Sequence, residues 1–150
     1  RKPPHRELQK VIYLSNNPPK IANRLARAVK ALGVEYEKVG GGATSSWEVS
    51  QKMNHASTVI SLGRGAYEAM ATERNVVVFD YNGADGIATP ESLPEFRKNN
   101  CSGRRYRLDW NEEQIQRALM QYDPDLGPRL RAYVEENNNV EDIAEQYLCL

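Results

Sequence analysis

The 150-residue chain carries two cysteines, two histidines and no net formal charge. Cys101 and Cys149 lie far apart and form no metal or redox motif, so both are read as free thiols in a reducing compartment. Zero net charge leaves no global basic field, and nucleic acid is not expected as a partner. No apolar run approaches the ~18 residues of a membrane helix. Residues 1–10, RKPPHRELQK, are polar and basic with no apolar segment after them, so no signal peptide is read and a cytoplasmic location is expected. No His/Cys/Asp cluster has metal-ligand spacing, and neither a metal nor another cofactor is expected. Internal repeats and low-complexity runs are absent.

What remains is a chain 40% hydrophobic and 27% charged, the balance of a folded globular domain. Residues 1–150 have the size of one domain. The chain starts at Arg1 rather than methionine and is expected to be an excised piece of a longer protein, or a processed one. Apolar runs and amphipathic stretches alternate along it. Val11–Leu14 reads as a first strand. Asn17 and Pro18 suit a helix start, followed by Ile21, Leu25, Val29 and Leu32 at helical spacing and Gly33 at the end. Residues 34–39, VEYEKV, alternate as a half-exposed strand of open register. Gly40-Gly41-Gly42 follows, either at a ligand crevice or as a plain flexible connection. Ser45 to Glu48 has the spacing of a capping box ahead of Val49, Met53 and Ala56.

The most informative stretch is Thr58 to Gly86, TVISLGRGAYEAMATERNVVVFDYNGADG. It reads as strand 58–62, glycine turn, helix 66–72, strand 76–79 and a second glycine loop. Strand, helix and strand within about thirty residues make a βαβ unit with parallel strands. Ligands of such sheets bind beyond the carboxyl ends of the strands, where Gly63-Arg64-Gly65 and Asn82-Gly83-Ala84-Asp85-Gly86 both fall. Gly63 and Gly65 permit a sharp turn and close approach of a ligand. The helix opening behind them offers free N–H groups to a phosphate. Arg64 supplies a forked donor, and Glu68, one turn on, can reach sugar hydroxyls. The same glycines also serve a tight βα turn with no ligand.

GRGAYEAMATERNVVVFDYNGADG resembles the donor-binding core of glycosyltransferases of the two-domain GT-B fold. The resemblance covers residues 58–86 and is only topological elsewhere. It implies that Gly63, Arg64 and Gly65 hold the diphosphate of a nucleotide sugar and that Glu68 binds the ribose. The second glutamate of many retaining members falls at Ile60, so the stereochemical outcome stays open. By the same analogy Asn16 and Lys20, after the first strand, face the diphosphate. Gly40 and Gly41 approach the base, and Asn82, Gly83, Asp85 and Gly86 face the donor sugar. An asparagine cap and a surface lysine at Asn16 and Lys20, and an Asx turn at 82–86, are the alternatives. The resemblance further implies an acceptor-binding N-terminal domain in the same protein and admits an acceptor at a membrane surface. The catalytic base is not assigned here.

Farther on, Thr89-Pro90-Glu91-Ser92 is expected to start a helix or a turn, which Pro94 shortens. Residues 97–105, RKNNCSGRR, form the most basic local stretch, a solvated loop or one that closes over phosphate. Tyr106–Leu108 reads as a short strand. Asp109 or Asn111 should cap a helix with Ile115, Ala118, Leu119 and Tyr122 on one face, and two more amphipathic segments follow from Pro128 and from Val140. The expected fold is three-layer α/β, Rossmann-like, with a mainly parallel sheet of five or six strands flanked by helices. The expected function is a glycosyltransferase domain binding a nucleotide-sugar donor. A non-catalytic nucleotide-binding module of Rossmann-like fold and a nucleotide-sugar 2-epimerase-like enzyme are the alternatives.

Overall fold

A computed structural model of the chain describes residues 6–15, 21–40 and 45–137. Asn16, Lys20, Gly41 and Gly42, and the amphipathic segment from Val140, lie outside the described residues. Five strands form one sheet in the order β2-β1-β3-β4-β5. They are β1 (Lys10–Leu14), β2 (Glu35–Val39), β3 (Thr58–Ser61), β4 (Asn75–Asp80) and β5 (Gly83–Ile87). The first four are parallel, with Ile12 opposite Glu37 on one side and Val59 on the other, and Ile60 opposite Val77. β5 runs antiparallel to β4, with a register shift between Val78 and Phe79. The architecture is α/β, a mostly parallel sheet flanked by helices, compatible with a Rossmann-like fold.

Period-two alternation explains why the sheet is covered on both faces. Ile12, Val39, Val59, Val76 and Val78 face one core, and Val11, Tyr13, Ile60, Val77 and Phe79 face the other. The open register of the second strand is thereby settled: Val39 points to the first core, Val34 and Tyr36 to the second. On the first side sit α2 (Ser46–Asn54), α3 (Gly63–Ala71) and α6 (Leu126–Asn137), through Met53, Ala66, Ala69, Met70, Leu126, Leu130 and Val134. On the second sit α1 (Ala22–Ala31) and α5 (Glu112–Met120), through Leu25, Ala28, Val29, Ile115 and Leu119. These positions recur at three and four residues, the spacing of one helical face.

Local chemistry sets the helix starts. Ser45 accepts a hydrogen bond from the Glu48 amide at 3.2 Å, which begins α2. Asn111, rather than Asp109, caps α5: it accepts from the Gln114 amide while Gln114 accepts from the Asn111 amide, both at 2.9 Å.

Four expectations are corrected or narrowed. The helix expected over 66–72 begins at Gly63, so Gly63-Arg64-Gly65 is its first turn and not a turn ahead of it. The loop expected over 82–86 is largely strand β5. Of the helix or turn expected from Thr89, the structure has the turn, followed by the single helical turn α4 (Leu93–Phe96), which Pro94 helps start. Ser92 donates to the Ile87 carbonyl and its Oγ accepts from the Thr89 amide, holding Thr89 and Pro90 in that turn. Tyr106–Leu108 makes no full strand, only a bridge in which Leu108 pairs with Ala84. No helix among the described residues is long and apolar enough to cross a membrane.

Candidate functional site

The order β2-β1-β3-β4 makes the chain leave β1 toward β2 and return on its other side at β3. Such a switch point opens a crevice at the carboxyl ends of the two diverging strands. A cavity of about 1020 Å³ lies there, at the large end of the range for small-molecule sites. Leu14 and Ser15 after β1, Gly40 after β2, Ser61 and Leu62 after β3, and Asp80, Tyr81 and Asn82 at the end of β4 line it. α2 contributes Met53, the first turn of α3 contributes Gly63, Arg64 and Gly65, and a loop adds Asn100, Ser102 and Arg104.

The α3 N-terminus is held by two close approaches. Gly63 has φ +51°, a left-handed conformation that favours glycine, and its amide donates to the Cys101 carbonyl at 2.8 Å. Gly65 sits so near the sheet that a Cβ would lie 2.5 Å from Ser61 Oγ and 3.0 Å from a Leu14 methyl. Its glycine character therefore serves helix-to-strand packing as well as any ligand. The amides of Arg64 and Gly65 have no acceptor among the described residues. They are orphan donors at the positive end of a helix, in the first turn that lines the crevice. Arg64 donates to Glu68 at 3.0 Å across one helical turn, with 89% of the Arg64 side chain exposed, so this pair stands at the mouth.

The loop following α4 closes one side. Asn100 and Cys101 both have left-handed backbones, φ 56° and 52°. Asn82 donates to the Ser102 carbonyl at 3.2 Å, and Gly103 packs against Gly83 so tightly that a Cβ would meet its oxygen at 2.5 Å. Ser102 Oγ is buried without a hydrogen-bond partner. Arg104 reaches the crevice, whereas Arg105 pairs with Glu95 at 2.8 Å.

The other site candidates are distributed unevenly. Gly40 and Asn82 line the crevice, but Gly83, Asp85 and Gly86 do not. Asp85 is buried within β5 and accepts from the Tyr106 amide at 2.9 Å, holding the 103–107 loop. Gly83 makes room for the backbone of Arg107, 2.8 Å from where its Cβ would stand. Trp47 is 68% exposed at the start of α2 and is not among the crevice residues. His55 is exposed at the C-cap of that helix.

Sequence reasoning passed over the floor of the crevice. Asp80 is buried; it accepts from Tyr13 Oη on one oxygen and from Ser15 Oγ at 2.8 Å on the other. Burial, and secondarily the bond to Asp80, push the Tyr13 phenol well above its usual range, so it remains a neutral donor. Lys38 caps this corner, donating to the Ser15 carbonyl at 3.1 Å, with its ammonium 5.8 Å from the Tyr13 ring centre. The available signal was a carboxylate ending an apolar strand at the carboxyl edge of a βαβ unit.

Chemically, the crevice joins orphan amides and arginines on the α3 side to a carboxylate and hydroxyls on the β1 and β4 side. That combination suits a ligand with an anionic part and a hydroxylated part. Among the described residues no group of three or more His, Cys, Asp or Glu side chains is placed to hold a metal. Comparison of the chain with protein-family models, curated proteins and solved structures finds no match.

Proposed function

We propose that this domain binds a nucleotide sugar at the β1/β3 switch point and serves as the donor-binding part of a glycosyltransferase. The observation that carries the reading is the pair of amides at Arg64 and Gly65, without an acceptor among the described residues, in the first turn of α3. A diphosphate is the ligand group that such a helix N-terminus favours. Arg64 and Arg104 border the same crevice and add charge-assisted donors. Glu68, 44% exposed beside Arg64, is available to ribose hydroxyls once a phosphate draws the arginine away.

In glycosyl transfer the leaving group is the nucleoside diphosphate, which gains negative charge as the glycosidic bond breaks. Fixed amide dipoles and arginines aimed at that charge lower the barrier without reorganising. The acceptor and the catalytic base come from the N-terminal half in this reading, so the domain alone binds donor and turns it over poorly. No metal is required in this scheme, and the setting is cytoplasmic, with an acceptor that can lie at a membrane surface.

A titration of the ¹⁵N-labelled chain with UDP, GDP and ADP, followed by amide chemical shifts, tests it directly. The Arg64 and Gly65 amides should move most, together with residues 100–104. Shifts confined to another surface, or no shift with any of the three, would remove the reading.

A further inference from the structure

Among the described residues, the buried side-chain atoms without a hydrogen-bond partner are Asn54 Oδ1, Asp85 Oδ2 and Ser102 Oγ. An amide oxygen and an ionised carboxylate oxygen only accept, whereas a serine hydroxyl also donates. Of these residues Ser102 alone lines the crevice. Its orphan hydroxyl calls for an explanation, since folding took it out of water without replacing the bond. The rest of Ser102 is engaged: its amide donates to the Asn99 carbonyl at 3.1 Å, and its carbonyl accepts from Asn82 at 3.2 Å. The carbonyl before it, that of Cys101, accepts from the Gly63 amide at 2.8 Å. On its other side, a Cβ at Gly103 would lie 3.3 Å from Leu62. Ser102 is therefore pinned beside the first turn of α3 with only its hydroxyl uncommitted. The Arg64 and Gly65 amides are open in that turn, and the Arg104 side chain lines the crevice two residues on. All of these are donors, so the ligand atom they suit is an acceptor, best an anionic oxygen.

We infer that Ser102 is a binding residue whose hydroxyl donates to a phosphoryl oxygen, so that the 100–104 loop forms a second wall of the anion site beside the α3 N-terminus. The loop lies outside residues 58–86, the stretch that carries the family resemblance. The inference takes from the nucleotide-sugar reading only the nature of the anion, and it assigns that anion a contact the reading does not contain. A turn about the Cα–Cβ bond, from one staggered position to another, carries the oxygen from its buried place toward the crevice that the residue lines. The hydroxyl gains its missing partner when the anion arrives. Because it bonds nothing in the described fold, its removal should leave the unliganded protein as stable as before, which separates a binding serine from a structural one.

The test is calorimetry of the full chain and of Ser102→Ala with pyrophosphate and with UDP, GDP and ADP, beside thermal melts without ligand. Affinity for pyrophosphate, and for any nucleotide that binds, should fall about ten-fold in Ser102→Ala, the scale of one hydrogen bond to a charged group. The melting temperature of the unliganded variant should equal or exceed that of the wild-type chain. Unchanged affinity overturns the inference, and so does a lowered melting temperature with unchanged affinity, which would make the serine structural. Failure of pyrophosphate to bind the wild-type chain overturns it too. Should Ser102→Ala fail to fold, the Ser102 side-chain torsion decides, read from three-bond couplings of the wild-type chain with and without pyrophosphate. A changed rotamer is expected, and the same rotamer in both overturns the proposal. Loss of pyrophosphate binding in the variant, with none of the three nucleotides bound by the wild-type chain, defeats the nucleotide-sugar reading and leaves the role of Ser102 standing. Nucleotides that bind both chains equally defeat only the role of Ser102.

Discussion

The Gly63 amide donates to the Cys101 carbonyl at 2.8 Å, tying the first turn of α3 to the loop that closes the crevice. This bond explains why, among the described residues, two amides of that helix end and not three lack an acceptor. It also explains why Asn100 and Cys101 sit in left-handed conformations: the backbone must curl to bring the carbonyl over the helix. Left-handed backbone at non-glycine residues is held by its surroundings, here by Gly103 against Gly83 and by Asn82 on the Ser102 carbonyl.

Gly103→Ala should loosen that loop. Gly103 combines φ +77° with a neighbour that a Cβ would strike, so the variant should lose about 1–3 kcal/mol of stability. Urea unfolding measures the loss. A midpoint equal to that of the wild-type chain would mean the loop does not depend on this packing.

Arg64→Ala and Glu68→Ala should separate binding from stability. Their ion pair is exposed and contributes within about 0.5 kcal/mol to folding. Nucleoside diphosphate affinity should fall by ~1–3 kcal/mol in each, the scale of lost charge-assisted hydrogen bonds. Calorimetry beside a thermal melt reads both quantities, and unchanged affinity would strip the two residues of their roles. A bulky residue at Gly65 is a poorer probe, because the contact with Ser61 would disturb packing as well.

Cys101 should be unreactive in the folded protein. Burial pushes its thiol up to about 11, only partly offset by its hydrogen bond to Tyr67 Oη. At pH 8 the thiolate is then about one part in a thousand. In a Cys149→Ser background, an aromatic disulfide reagent should release almost no colour until denaturant is added. Rapid labelling without denaturant would contradict the burial of this thiol.

Glu37 should mark an acid-sensitive contact between β2 and its neighbours. Lys52, and less strongly Lys10 at 3.0 Å, hold its carboxyl below the usual carboxylate range. A depressed folded pKa contributes stability above the unfolded value of ~4.3 and loses it as pH falls through the folded value. Glu37→Gln should therefore be less stable than wild type near pH 7, and the gap should close toward pH 3. Urea midpoints across that range check it, and a gap independent of pH would show that the ion pairs do not stabilise the fold.

Much of the frame was legible because it depends on near neighbours. Short apolar, β-branched runs placed β1, β3 and β4, alternation placed β2, and three-to-four spacing placed the buried faces of α1, α5 and α6. β5 was not legible. The segment GADGI has weak intrinsic strand preference, and it becomes a strand only because β4 and Leu108 satisfy its backbone on two sides. Its glycines read as loop punctuation, yet Gly83 is there for the passing backbone of Arg107.

By itself the sequence determined an α/β chain with a βαβ unit and a helix N-terminus at the carboxyl edge of its strands, since periodicity and helix-start chemistry are local. Only the tertiary structure decided which strands adjoin, and hence where the switch point and its crevice lie. It also decided that Asp80 meets Tyr13, 67 residues away, across the end of β3. Such pairings follow from the order in which strands assemble, and no short-range pattern of side chains encodes that order.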